Sequence, residues 1–400
     1  MGVVQRKLTR SFQNFFNSEK SSGILLIFCT ALSLALTNSI IGAQFLSIWQ
    51  LNVGGLTIEH WINDGLMAIF FLLIGLELER EMYNGELSDI RNALLPIFAA
   101  LGGIIVPALI YFTINSGAPT RAGAGIPMAT DIAFALCVLA MLGSRVPDSL
   151  KIFLTALAVI DDLGAIVVIA IFYTAAVSPV YLIAAISIFG LLLVLNRVLG
   201  VMLLLPYLIG GIAMWILMMR SGVHASISGV LLAFAIPFSA REDDEASPSH
   251  TLEHFLHKPV AFLILPLFAL ANTGIVLGAD GFSGLLSANS LGIAAGLVAG
   301  KPLGIMLLSF VAVGAGICRL PLDLNWKHIF GAGLLGGIGF TMSIFIANLA
   351  FAGDAAAINT SKMSILVASL TAGTAGFVWL RLLGERSATD DDSLKAADAA

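Results

Sequence analysis

Residues 152–172 read IFLTALAVIDDLGAIVVIAIF, an apolar run interrupted at its middle by two adjacent carboxylates, Asp161 and Asp162. Wound as a helix at 1.5 Å per residue, the run is ~30 Å long, the thickness of a bilayer's hydrocarbon core, and the acids lie ~15 Å from either end. Each ionised acid at that depth costs about 2.5 to 3.5 kcal/mol on insertion scales, so it persists for a reason. Consecutive helical residues point ~100° apart, which lets both side chains line one cavity without facing lipid.

The rest of the chain is of the same kind. Its 400 residues are 58% apolar and 11% charged, with 40 Gly. A soluble domain is about a quarter charged, so too little polar surface exists here to cover a water-facing globule. Twelve segments are long and apolar enough to be membrane helices: 23–36, 60–78, 94–113, 126–142, 152–174, 180–195, 202–218, 223–237, 260–276, 291–313, 329–351 and 365–383. The expected fold class is an all-α polytopic membrane protein. Residues 1–386 read as one transmembrane domain, and the Asp-, Ala- and Ser-rich stretch 387–400 as a disordered tail. No small-residue cleavage site follows the first segment, which is read as a retained helix.

Positive charge stays on the cytoplasmic side. With the N-terminus inside, only Arg121, Arg220 and Lys362 fall in outer loops, Lys301 falls within a segment, and the other sixteen of the twenty basic residues lie inside. Both termini are therefore expected to be cytoplasmic. The net charge of −5 and the scattered basic residues exclude a nucleic-acid partner. Cys29, Cys137 and Cys318 show no CxxC spacing and read as small core residues.

Two more charges lie at membrane depth. The fourth segment carries Thr130-Asp131 and the tenth Gly300-Lys301-Pro302. A buried ion-pair network that only fixes packing is one reading. Three acids against one base leave a surplus, which a structural network does not need and a site that takes up a cation or proton does. Oxygen ligands without His or Cys suit a small alkali cation. Gly123, Gly125 and Pro127 precede Thr130-Asp131, and Gly331, Gly333, Gly336, Gly337 and Gly339 precede Phe340-Thr341-Met342. Such clusters suggest unwound segments lining a cavity, or simply close helix packing. Segments three to five and ten to twelve begin on opposite sides, each with its middle member Gly-interrupted, the pattern of an inverted repeat with two broken, crossing helices. Asp131 and Lys301 are placed to compensate the helix ends meeting there.

Seven stretches carry a family resemblance: Gly75-Leu-Glu77-Leu-Glu79-Arg80-Glu81, Ala129-Thr130-Asp131-Ile-Ala-Phe134, Leu157-Ala-Val-Ile-Asp161-Asp162-Leu-Gly-Ala165, Ser221-Gly-Val-His224-Ala225, Leu252-Glu253-His254, Gly300-Lys301-Pro302 and Gly336-Gly-Ile-Gly-Phe-Thr-Met342. Over nearly the whole chain the sequence resembles the NhaA-type bacterial sodium/proton antiporters, themselves a standard example of inverted repeats. The resemblance implies a transporter rather than an enzyme. It would sit in the inner membrane, expel Na⁺ or Li⁺ for a larger number of protons, use no cofactor, and be switched on at alkaline pH. Asp161 and Asp162 would bind Na⁺ and carry protons, and Thr130, Asp131 and Lys301 would support the site. Glu77, Arg80, Glu81, Glu253 and His254 match a pH-responsive region at the cytoplasmic mouth, and His224 matches a histidine that influences pH response. Asp64 matches a family acid. Glu79 stands where a lysine is common, and His250-Thr251 where basic residues are. The resemblance also implies a homodimer, with 46–56 as the pairing loop.

Neighbouring carboxylates in a partly dry cavity compete for protons and cations near neutral pH. A sodium-coupled symporter could share the architecture, and a channel would carry uncoupled current. An intramembrane aspartyl protease needs two aspartates on separate helices and a GxGD segment, and no such segment lies within a helix here.

Overall fold

The computed structural model describes residues 2–85, 87–174, 177–239, 247–277 and 284–398, with side-chain surroundings over 20–384 except residue 144 and those gaps. Apart from one hairpin, β1 (Asn52–Val53) and β2 (Leu56–Thr57), the described elements are helical. In chain order they are α1 (Gly2–Thr37), α2 (Gly42–Trp49), α3 (Ile58–Tyr83), α4 (Ile90–Ile114), α5 (Ile132–Leu142), α6 (Asp148–Phe172), α7 (Pro179–Arg197), α8 (Leu204–Ser221), α9 (Ile227–Ala235), α10 (Pro248–Asn272), α11 (Ala288–Gly314), α12 (Trp326–Gly336), α13 (Phe340–Ala350) and α14 (Ala355–Asp398).

Ten helices among the described residues are long and apolar enough to cross a membrane. An eleventh span is the pair α12 and α13, bent by 48° at its break. The protein is thus a polytopic membrane protein, but its eighth expected segment differs. Residues 223–237 form only α9, nine residues and ~14 Å long, too short to cross alone. The ninth begins twelve residues before the expected 260, because Ser247 caps the helix by accepting the His250 amide (3.3 Å) and Pro248 occupies its first turn. The polar residues of these added turns hide them in the hydropathy pattern. Residues 240–246, between α9 and α10, lie outside the described residues. The helical backbone of α14 continues to Asp398, through the stretch that composition reads as a tail.

Prolines shape several helices. Pro302 has no amide to donate, and α11 widens into a π turn over Gly296–Gly300 just before it. A second π turn, Val260–Ile264, precedes Pro266 in α10.

The chain forms two compact units. The first comprises Met1–Ile27, Arg91–Asp161 and Leu277–Ala400, and so holds both Gly-interrupted segments. Here α4 and α11 cross at Gly102 and Gly304, where a Cβ on either would run into the other's carbonyl. The second comprises Phe28–Ile90 and Asp162–Val276. In it α9 lies tight against α3, with Gly229 over the Ala68 carbonyl and Gly75 against Ala233.

Candidate functional site

The first unit builds its polar centre from two interrupted helices. Pro119–Met128 is wound as a 3-10 helix, residues 129–131 are extended, and α5 starts at Ile132. Opposite them, α12 stops at Gly336 and α13 starts at Phe340. The breaks meet directly, because the Asp131 amide donates to the Ile338 carbonyl (2.6 Å). Ser343, fully buried, donates its hydroxyl to the Ile126 carbonyl (2.7 Å) and ties α13 to the 3-10 segment. Backbone that leaves the helix at membrane depth needs such partners, since lipid offers none.

Asp131 and Lys301 sit on ends of opposite polarity. Asp131 Oδ1 accepts the Phe134 amide (3.1 Å), and its Oδ2 accepts the Thr341 amide (2.9 Å) and hydroxyl (2.5 Å). One carboxylate thus caps the positive ends of α5 and α13. The Lys301 ammonium, fully buried, donates to the Met128 carbonyl, at the negative end of the 3-10 segment, and to Asp161 Oδ2.

Asp161 is 1% exposed. Its Oδ2 meets Lys301 and the Thr130 hydroxyl (2.6 Å), while its Oδ1 is buried and meets no hydrogen-bond donor among the described residues. The Thr130 oxygen also lies 2.9 Å from the Gly336 carbonyl. A hydroxyl has one proton, so it serves either Asp161 or Gly336. Asp162, next on α6, is fully buried. The structure therefore brings Thr130, Asp131, Asp161 and Lys301 into one cluster. Among the described residues no group of three or more His, Cys, Asp and Glu is arranged to hold a resident metal.

The second unit holds the other sequence candidates in two places. Toward the end of α3, Arg80 pairs with Glu253 of α10 (2.5 Å) and with Glu81 (3.2 Å). Glu77 faces His257 (3.8 Å), while His254 is exposed on the same helix. Buried Glu79 accepts from Ser249 (3.4 Å). His224 is not in this cluster; its Nε2 lies 3.2 Å from Asp64 near the start of α3.

Sequence reasoning missed Thr341 and Ser343 as partners, although both follow the flagged glycines. It also missed His257, one turn beyond Glu253 at the i,i+4 spacing that places two side chains together. The backbone carbonyls of Met128 and Gly336 carry no residue-type signal.

Comparison with known proteins gives a consistent result. The family model described as Na⁺/H⁺ antiporter 1 matches residues 13–380. The chain is similar to a Na⁺/H⁺ antiporter NhaA of Dechloromonas aromatica, 70% identical over 380 residues that cover 95% of this chain and 98% of that protein. A protein of the same name from Flavobacterium psychrophilum is 60% identical over 375 residues, 94% of this chain and 97% of its own. One from Vibrio campbellii is 48% identical over 381 residues, 95% and 97% respectively. With a polytopic helical body, a broken helix pair and this match along almost its entire length, the chain belongs to the NhaA-type Na⁺/H⁺ antiporters, bacterial membrane transporters that exchange Na⁺ for H⁺.

Proposed function

We propose that the exchange takes place at Asp161 and Asp162, which alternate between holding protons and holding Na⁺ or Li⁺, and that only these charge-compensated forms turn over between inward- and outward-open states. More than one proton moves per cation, so the cycle is electrogenic and is driven by the proton-motive force. The observation that carries this reading is the Asp161 carboxylate itself: buried at mid-helix, one oxygen shared by an ammonium and a hydroxyl, the other without a protein donor among the described residues. An acceptor left so in hydrocarbon is costly unless a proton or cation serves it.

The chemistry follows from Thr130 and its single proton. When Asp161 is protonated, its O–H donates to Thr130 and Thr130 donates to Gly336, so the Thr130 oxygen and the Gly336 carbonyl are both served. Once Asp161 is ionised, the Thr130 proton turns to the carboxylate, and the Gly336 carbonyl at the negative end of α12 is released toward a cation. Hard oxygens of this kind suit Na⁺. An entering cation also competes with the Lys301 ammonium for Asp161 Oδ2. An empty, ionised pair would carry uncompensated charge through an occluded state at a cost of several kcal/mol, which suppresses leak.

Activation at alkaline pH is assigned to the cluster of Glu77, Arg80, Glu81 and Glu253, with His254 beside it and His224 contributing at the other end of α3. The protein would act as a homodimer in the inner membrane, with both termini cytoplasmic, and would control cytoplasmic pH and sodium. The sixteen-to-three partition of basic residues supports that orientation.

The test uses everted vesicles energised to an acid interior. Adding Na⁺ should collapse the pH gradient with the wild-type protein and leave it intact with inserted, folded Asp162→Asn protein. Full activity in that variant ends the proposal.

A further inference from the structure

Near the start of α3 lies a titratable cluster built from residues other than the aspartate pair. Asp64 lies between two imidazoles: His60 Nε2 is 2.7 Å from its Oδ2, one turn earlier on the helix, and His224 Nε2 is 3.2 Å from its Oδ1. The other His224 nitrogen is 2.6 Å from the Ser226 hydroxyl. The Asp64 backbone is held as well, since its carbonyl accepts the Trp215 indole N–H (3.0 Å). Trp61 stacks on Trp215 at 5.8 Å and donates to the Val53 carbonyl (2.8 Å). Asp64 and His224 are therefore fixed and largely covered, at 15% and 14% side-chain exposure, whereas His60 is 44% exposed. Only one of the three groups is open to the medium.

We infer that His60 and Asp64 form a proton-binding site at the outer face, separate from the transport site, through which external protons regulate exchange by setting how firmly the start of α3 is tied to the His224 segment. The inference rests on the orientation and the exchange reading proposed above. Histidine changes charge between about pH 5 and 8. Protonated, His60 makes a charge-assisted bond to Asp64 Oδ2 and shares the carboxylate's charge with His224. Neutral, it holds the carboxylate by an uncharged hydrogen bond only. Of the surrounding elements, the residue after α2, Gln50, donates its amide to the Glu59 carboxylate beside His60 (2.7 Å), α8 contributes neutral Trp215, and α10 contributes Asn272, paired with Asn63 (2.7 Å). The same helix carries Glu77, Arg80 and Glu81 toward its other end, so a change in how its start is held reaches that group along one continuous helix.

The test compares wild type, His60→Gln and His60→Arg in proteoliposomes of sorted orientation, with the pH of the two faces set independently. Glutamine keeps a donor and removes the titration, and arginine fixes the positive charge. The ratio of wild-type to His60→Gln rates should be near one at an external pH of about 8.5 and depart from it by about threefold or more at about 5.5. His60→Arg should show the reverse, matching wild type at the acid end. Ratios that stay flat, or that follow the pH of the opposite face, overturn the inference. Histidine-ring NMR of the whole protein gives a readout independent of transport: a titrating resonance lost in His60→Gln and displaced in Asp64→Asn supports the site, and one unmoved by Asp64→Asn overturns it. Should wild type show no exchange at all, the exchange reading fails while the ring titration still decides the proton site.

Discussion

Asp131 and Thr341 are 210 residues apart, and the Thr341 amide and hydroxyl both donate to one Asp131 carboxylate oxygen. That contact joins the two helix breaks on which the candidate site is built. Thr341→Val removes the hydroxyl bond and should cost about 1 kcal/mol, whereas Asp131→Ala removes caps from both α5 and α13 and should cost about 2 to 4 kcal/mol. Thermal melting in detergent, run alongside Na⁺-dependent exchange, checks the order. Equal melting points for the two variants would contradict the double-cap role.

Thr130 should set cation affinity more than stability. Thr130→Val deletes the hydroxyl that meets Asp161 and Gly336, while Thr130→Ser keeps it. A bond to a charged group is worth about 1.5 to 3 kcal/mol, so Thr130→Val should raise the apparent KM for Na⁺ by about tenfold or more. Thr130→Ser should stay near wild type, and a KM series over Na⁺ at fixed pH shows whether it does.

Lys301 and Asp161 should behave as a coupled pair. Removing one partner of a buried ion pair leaves an uncompensated charge at a cost of about 3 to 5 kcal/mol. Lys301→Ala should therefore destabilise strongly, and Asp161→Asn combined with Lys301→Gln much less than the sum of the single changes. A double-mutant cycle in urea or thermal unfolding that turns out additive would mean the two side chains do not interact.

Glycines differ sharply in what they tolerate. A Cβ on Gly304 would meet the Gly102 carbonyl, a backbone atom that cannot swing aside, while one on Gly190 of α7 meets nothing within 4 Å. Gly304→Ala should reduce folded yield and separate α4 from α11. Gly190→Ala should be neutral or stabilising by about 0.5 to 1 kcal/mol. Fluorescence-detected size exclusion of both variants gives the comparison.

His257 should matter more than His254 for the pH profile, because it faces Glu77 and His254 is exposed. His257→Gln removes a ring that can carry charge, so the proposed alkaline activation should set in at lower pH. His254→Gln should leave the profile in place. Na⁺-induced collapse of the pH gradient, titrated over pH, distinguishes them.

Much of this was legible in the chain because charge in hydrocarbon is expensive. Asp131, Asp161, Asp162 and Lys301 stand out against apolar neighbours, and the glycines around Thr130 and Thr341 mark where helices break. Helix limits were less legible wherever a polar turn joins an apolar one. α10 begins within polar sequence at Pro248, and α9 is shorter than its apolar run. Hydropathy counts residue types, whereas capping by Ser247 and the close seat of Gly229 on Ala68 decide where backbone stays helical.

Sequence by itself determined that the chain spans a membrane and which few side chains must be sheltered from lipid, since each follows from the free energy of placing a residue type in hydrocarbon. Only the tertiary structure decided who shelters them. Lys301 reaches Asp161 and the Met128 carbonyl, Asp131 reaches Thr341, and Asp64 reaches His224, because these partners are long-range neighbours or main-chain atoms that no local pattern encodes.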